Sequence, residues 1–134
     1  MNTSPSVPRT RRRGFSMVEM IACVSIIGII AFLAIPSITR MRSDSERNLA
    51  ISRAESLNLA MSTFIQVVGR SQAGLSWTAA TTSTAKYDLI RPYLAYSETT
   101  LTAYLPQDYS LTFPTSITSL TKAALTGPSG NIPY

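Results

Sequence analysis

Chemistry requires side chains that move protons, attack carbon or hold metals, and this 134-residue chain is poor in them. It has no histidine, so Ser/His/Asp and Cys/His relays and His-ligated zinc are excluded. Its one cysteine, Cys23, can neither close an intrachain disulfide nor build a Cys-rich metal site, and is most simply an apolar core residue. No acid/base pair is recognisable, which argues against an anchored hydrolase. The chain is expected to be no enzyme, with no catalytic residue, no metal ligand and no cofactor. The titratable group in an unusual place is Glu19, the single charge between Phe15 and Ile38.

That stretch, FSMVEMIACVSIIGIIAFLAIPSI, is 24 residues long. As a helix it would span about 36 Å, enough for a bilayer core about 30 Å thick. Being apolar around its whole circumference, it reads as a membrane helix and not as an amphipathic surface helix. Only 14% of the chain is charged, against about 25% in a usual soluble domain. The net charge of +5 is local, because Arg9, Arg11, Arg12 and Arg13 precede the apolar run and the remainder carries 8 basic against 7 acidic side chains. Arg40, Arg42 and Arg47 follow the run, so the basic bias of four to three favours a cytoplasmic N-terminus with the C-terminal region outside. A secretory signal has a shorter apolar region, about 7–15 residues, ending at a small-residue cleavage site. Here the run is longer and continues into Pro36, Ser37 and polar helix. Arg12-Arg13-Gly14-Phe15 faintly resembles a twin-arginine export signal, but the acid four residues beyond Phe15 fits that pattern poorly.

An acid within an apolar span costs on the order of 3 kcal/mol on insertion scales and is by default paired or functional. Near a helix start it can also snorkel to the interface and favour the positive end of the helix dipole. Arg11-Arg12-Arg13-Gly14-Phe15-Ser16-Met17-Val18-Glu19 resembles the class III signal of type IV pilins and type II secretion pseudopilins. In that family a basic leader ends in Gly, Phe usually follows, Glu is fifth in the mature chain, and an apolar helix continues from there. The resemblance implies an α+β, pilin-like fold: a long N-terminal α-helix, its first half transmembrane, packed on a small antiparallel β-sheet head. It implies cleavage between Gly14 and Phe15 by a prepilin peptidase, N-methylation of Phe15, and subunit assembly in which Glu19 meets the Phe15 amine of a neighbour. Such a pair sets register more than it adds stability. Gly28 and Pro36, the fourteenth and twenty-second mature residues, fall where family members carry helix breakers, and imply flexibility of the helix between them; both residue types are also common in membrane helices and can serve packing alone.

The implied organisation is a cleaved leader over 1–14, a transmembrane or filament-core segment over 15–38, an amphipathic segment over 39–69, and a Ser/Thr-rich head over 70–134. In the second segment Ala50, Ala54, Leu57, Met61, Phe64 and Val68, spaced alternately four and three apart, form one apolar stripe, with Arg47, Arg53, Glu55 and Asn58 largely off it. The stripe is too short for clean coiled-coil heptads. Gly69 is a plausible stop, giving one helix from Phe15 to Val68. From Ser71 onward 20 of 64 residues are Ser or Thr, a composition that suits a glycosylated or flexible stalk unless apolar residues are interleaved. They are: Trp77, Tyr87, Leu89, Ile90, Tyr93, Leu94, Tyr96, Leu101, Tyr104, Leu105, Tyr109, Leu111, Phe113, Ile117, Leu120, Ala123 and Leu125 can furnish a small core. Aromatics such as Trp77 and Tyr93 fit core or interface packing better than a ligand groove. Short helices are expected within Thr84–Ala95, interrupted at Pro92, and near Thr99–Leu105 with Ser97 as cap. Strands are expected at Tyr109–Phe113 and Leu120–Thr126, followed by a turn at Gly127–Gly130 and an edge segment.

From Ser71 the chain is electrically neutral, so no nucleic-acid partner is expected. The calcium loop and C-terminal disulfide loop common in the resembled families have no counterpart here, because Asp108 is the only acid after Glu98 and no cysteine follows Cys23. The implied role is a structural filament subunit of a type IV pilus or type II secretion pseudopilus. Its implied partners are the peptidase, like subunits and other pilins, an assembly platform with its ATPase, and membrane lipid before assembly. The implied location is the bacterial inner membrane with a periplasmic head, then a pseudopilus or surface pilus. A membrane-anchored binding module that never polymerises is the alternative of a different class.

Overall fold

The computed structural model describes residues 14–119 and 121–134. The arginines of the expected leader and Leu120, expected to open a strand and join the core, lie outside the described residues. Two compact units divide the chain, one ending at Arg40 and the other comprising Met41–Tyr134.

Helix α1 runs Met17–Val68. In its first part Ile26, Ile27, Ile29 and Ile30 are β-branched residues of modest helix propensity. In hydrocarbon such a segment would have no alternative to a helix, since each backbone N–H and C=O would have to find its partner within it. The part within the second unit is amphipathic. Ala50, Ala54, Leu57, Ala60, Met61 and Phe64 are buried while Leu59 and Val67 on other faces are exposed. The expected stripe is therefore the core-facing edge, except that Val68 is only half-buried.

Gly69 does end α1, but a second helix, α2, begins at once over Arg70–Ala79. Gly69 has φ 91° and ψ 144°, a conformation essentially confined to glycine. Its N–H donates to the Ile65 carbonyl at 3.0 Å and its own carbonyl accepts from Ala73 N–H at 2.9 Å. One residue thus closes one helix and starts the next in a new direction. Helix α2 buries Ala73 and Trp77, four apart on one face.

Helix α3, Ser83–Ile90, is capped by Thr82, whose side chain accepts from Ala85 N–H at 3.2 Å. It buries Tyr87 and Ile90 and gives way at Arg91–Tyr93 to a single 3-10 turn containing Pro92, as its missing N–H requires. Helix α4, Leu101–Tyr104, is capped by Thr100 instead of Ser97, because only Thr100 stands one residue before the first turn with its hydroxyl on Ala103 N–H at 3.2 Å.

Strands β1 (Ser110–Thr112), β2 (Ala124–Gly127) and β3 (Gly130–Ile132) form an antiparallel sheet in the order β1-β2-β3. The register pairs Leu111 with Leu125 and Leu125 with Ile132, so one buried row crosses the sheet. The β2–β3 turn is Pro128-Ser129. Proline holds φ near −65°, which shifts the left-handed residue past the turn to Gly130, φ 105°. Strands β1 and β2 are shorter than the expected Tyr109–Phe113 and Leu120–Thr126, while β2 runs one residue further, to Gly127. The core contains Trp77, Tyr87, Ile90, Tyr104, Leu105, Leu111, Phe113, Ile117, Ala123 and Leu125, with Leu89, Tyr93, Leu94, Leu101 and Tyr109 half-buried against it. Tyr96, expected in the core, is exposed, and its hydroxyl donates to the Glu98 carboxylate at 2.7 Å. The architecture is α+β and pilin-like, a long N-terminal helix with a small antiparallel sheet.

Replacing Gly69 by alanine places a Cβ in that backbone conformation and is expected to cost about 1–3 kcal/mol. Denaturant melting of the full chain in detergent measures it.

Candidate functional site

The N-terminal unit presents Gly14 and Phe15 outside the helix, both exposed, with Phe15 at 78%. Ser16 is the N-cap. Its hydroxyl accepts from Val18 N–H at 3.2 Å, its carbonyl accepts the first helical bond from Met20 at 3.2 Å, and its own N–H donates to the Glu19 carboxylate at 2.8 Å. This is a variant of the Ser-x-x-Glu capping box, with the serine hydroxyl on the second helical N–H and not the third, and it satisfies two otherwise unpartnered backbone donors. Ser16 was no candidate on charge or polarity, although its spacing to Glu19 is itself a sequence signature. In the single chain Glu19 therefore holds its own backbone and sits beside the positive helix end.

Beyond it, from Met20 to Arg40, every side chain is exposed except Ala34, which is half-buried. This part of α1 is long and apolar enough to cross a membrane. Cys23 is exposed on it, so the expectation of a core residue fails within one chain, where this helix has no core to join. Gly28 leaves open space around its Cα. The backbone stays helical through both Gly28 and Pro36, and Thr39 donates its hydroxyl to the Pro36 carbonyl at 3.0 Å.

In the second unit the flanks of the α1 stripe carry polar groups that fix the C-terminal segment. Asn58 accepts Ala123 N–H at 3.0 Å and donates to the Tyr134 hydroxyl at 3.3 Å, while that hydroxyl donates to the Ala123 carbonyl. Lys122 pairs with Glu55 at 2.6 Å and also donates to the Tyr134 carbonyl at 3.2 Å. The Lys122 hydrogen bond holds the Glu55 carboxyl below its ordinary value. Burial pushes the Tyr134 phenol up, against the hydrogen bond from Asn58. On the other flank Arg53 donates to the Tyr104 carbonyl and lies over the Tyr104 ring, 5.5 Å from its centre. Arg53, Glu55 and Asn58 are thus off the apolar stripe, as expected, yet they are the residues that tie α1 to distant chain. Trp77 is a core residue, its indole N–H donating to the Pro114 carbonyl at 2.9 Å.

Open grooves border this unit among the described residues. One of about 320 Å³ lies beside Glu55, Asn58 and Lys122, one of about 330 Å³ beside Asp44, Arg47 and Asn131, and one of about 240 Å³ beside Leu59, Tyr93 and Tyr96. The carboxylate of the first is already committed to Lys122. Among the described residues there is no group of three or more His, Cys, Asp or Glu placed to hold a metal.

Residues 9–35 match the family model for the prokaryotic N-terminal methylation motif, the class III prepilin signal of type IV pilins and pseudopilins. The matched stretch contains Gly14, Phe15, Ser16, Glu19 and Gly28 and stops one residue before Pro36. No curated protein and no solved structure matches the chain.

Asn58→Ala strands the Ala123 amide and is expected to cost about 1–3 kcal/mol. Glu55→Gln should cost under about 1 kcal/mol, because both members of that pair are half exposed. The ion-pair contribution is present above the ordinary carboxylate value of 4.5 and fades as pH falls through the lowered folded-state value. Melting of the two variants at neutral and acid pH checks both expectations.

Proposed function

We propose that this chain, which carries the prepilin methylation motif, is a structural subunit that polymerises through its N-terminal helix into a type IV pilus or a type II secretion pseudopilus. The observation that carries the reading is the motif over residues 9–35 leading into a helix whose apolar surface the chain itself leaves uncovered. Hydrocarbon covers such a surface before assembly, and neighbouring helices cover it afterwards.

On this reading a prepilin peptidase removes residues 1–14 by cutting between Gly14 and Phe15 and methylates the new Phe15 amine. Residues 15–38 are the membrane and later filament-core segment, 39–69 the amphipathic segment, and 70–134 the head. The arginines before the cut and the positive-inside tendency support a cytoplasmic N-terminus and a periplasmic head. An assembly platform and its ATPase extract the subunit from the inner membrane. Cleavage helps, because it removes the four arginines that anchor the helix on the cytoplasmic side. In the filament the Glu19 carboxylate meets the Phe15 amine of a neighbour, and a misregistered subunit leaves that acid unpaired in an apolar setting. Gly28 and Pro36 weaken the helix between them, which lets it stretch or melt locally as subunits pack.

Mass spectrometry of the mature protein should find a chain beginning with N-methylated Phe15; any other N-terminus contradicts the processing step. Glu19→Ala should lower incorporation into filaments by at least about tenfold, since an unpaired buried charge costs on the order of 3 kcal/mol. Wild-type protein that is cleaved but stays solitary in the membrane, with Glu19→Ala behaving identically, would instead indicate an anchored binding module.

A further inference from the structure

The β2–β3 hairpin is fastened at its open end. From Lys122 the chain runs through β2 to the exposed Pro128-Ser129 turn and back through β3 to Tyr134. At the end away from the turn the Tyr134 hydroxyl donates to the Ala123 carbonyl, so one side chain ties the two stems together. The same two residues are held by α1, where Asn58 accepts the Ala123 N–H at 3.0 Å and donates to the Tyr134 hydroxyl at 3.3 Å. Lys122 adds a weaker hold, its ammonium 2.6 Å from the Glu55 carboxylate, 3.2 Å from the Tyr134 carbonyl oxygen and 5.1 Å from the centre of the Tyr134 ring.

Away from this fastening the hairpin has few other holds. Ala123, Leu125 and Ile132 are buried, but Gly130, Asn131 and Pro133 are exposed and β3 is an edge strand. The ladder to β1 pairs only three residues of each strand. Elements with short ladders and few buried side chains belong to the part of a protein that opens locally, well below the free energy of global unfolding. The long helix that buries Ala50, Ala54, Leu57, Met61 and Phe64 belongs to the other part. No cysteine follows Cys23 to staple the hairpin covalently, and the Lys122–Glu55 pair is half exposed and correspondingly weak. Most of the fastening thus falls to one neutral amide and one phenol.

We infer that the β2–β3 hairpin is a flap that opens from α1 as one unit while the rest of the head stays folded, with Asn58 and Tyr134 as its catch. The three hydrogen bonds of the catch share their residues in a closed ring, Asn58 to Ala123, Ala123 to Tyr134 and Tyr134 to Asn58, so they release together. Opening frees the Lys122–Ala123 peptide, whose amide is the one that Asn58 holds. With the flap closed, the Lys122 side chain is engaged by Glu55 and its peptide cannot extend into the cleft of a protease. With the flap open, both are available. The catch therefore decides whether the head is cut after Lys122, whether or not the chain polymerises.

The test is amide hydrogen exchange of the full-length chain in detergent, read by mass spectrometry, with trypsin cleavage after Lys122 as a second readout. In the wild type, residues 123–132 should exchange faster than residues 50–64 of α1. Asn58→Ala should speed both hairpin exchange and cleavage after Lys122 about tenfold, the factor for stranding a buried backbone amide, and leave residues 50–64 unchanged. Tyr134→Phe, which keeps the ring beside Lys122 and removes the hydroxyl, should speed them about fivefold. Arg53→Ala, which removes the hydrogen bond to the Tyr104 carbonyl on the other flank, should leave the hairpin at its wild-type rate. Hairpin and α1 exchanging in step in the wild type, or accelerated equally by Asn58→Ala, would mean one cooperative head and overturn the inference. So would an Asn58→Ala hairpin with wild-type exchange and cleavage, or an Arg53→Ala hairpin accelerated as much as the Asn58→Ala one.

Discussion

The constraint on which everything else depends is an apolar helical surface that its own chain cannot cover. From Phe15 to Ile38 the side chains present hydrocarbon on every side, and one acid, Glu19, interrupts them near the start. Water cannot be the final solvent of such a segment, and a bilayer accommodates the apolar part at a penalty for the carboxylate. A bundle of like helices accommodates both, if a positive group stands where each carboxylate falls. The geometry at Ser16 adds that the carboxylate is already engaged within its own chain, accepting a backbone N–H at 2.8 Å. On the proposed reading, assembly would be an exchange of partners for Glu19 and not the capture of a bare charge.

The same helix solves a different problem in the second unit. A head of this size has few residues with which to build a core, and α1 supplies one wall of it. Ala50, Ala54 and Ala60 allow close approach while Leu57, Met61 and Phe64 provide volume. Polar groups on the flanks of this wall fix what packs there. Asn58 satisfies Ala123 and Tyr134, Arg53 caps the Tyr104 carbonyl, and the Lys86 ammonium and Trp77 indole share the Pro114 carbonyl. Buried amide and hydroxyl groups are costly when unpaired. These few hydrogen bonds therefore specify where the C-terminal strands lie more than they add to stability.

Glu19, Phe15 and the apolar run stand out in the sequence because type and position alone mark them. The stripe from Ala50 to Phe64 is equally legible, since a repeat near 3.6 residues survives any detail of packing. Two features were concealed by stronger signals. The Ser-x-x-Glu capping spacing is overshadowed by a lone acid in an apolar run, which points first to a neighbour. Gly69 marks the end of a helix correctly, yet nothing local says that a second helix starts at the next residue. That depends on α2 finding a place in the core for Ala73 and Trp77. Tyr96 misleads in the opposite way, for its ring suggests burial while a hydroxyl bond to Glu98 keeps it at the surface.

Sequence by itself determined the membrane-length helix, the methylation motif, the core-facing edge of α1 and the presence of a small antiparallel sheet, because each is written in spacing over a few neighbouring residues. Tertiary structure alone decided which polar side chains hold the head together. Asn58 reaches Ala123 and Tyr134 across 65 and 76 residues of chain, and Lys122 reaches Glu55 across 67. No local pattern encodes such a pairing, since it exists only once the core has closed and brought two distant backbones within hydrogen-bonding range.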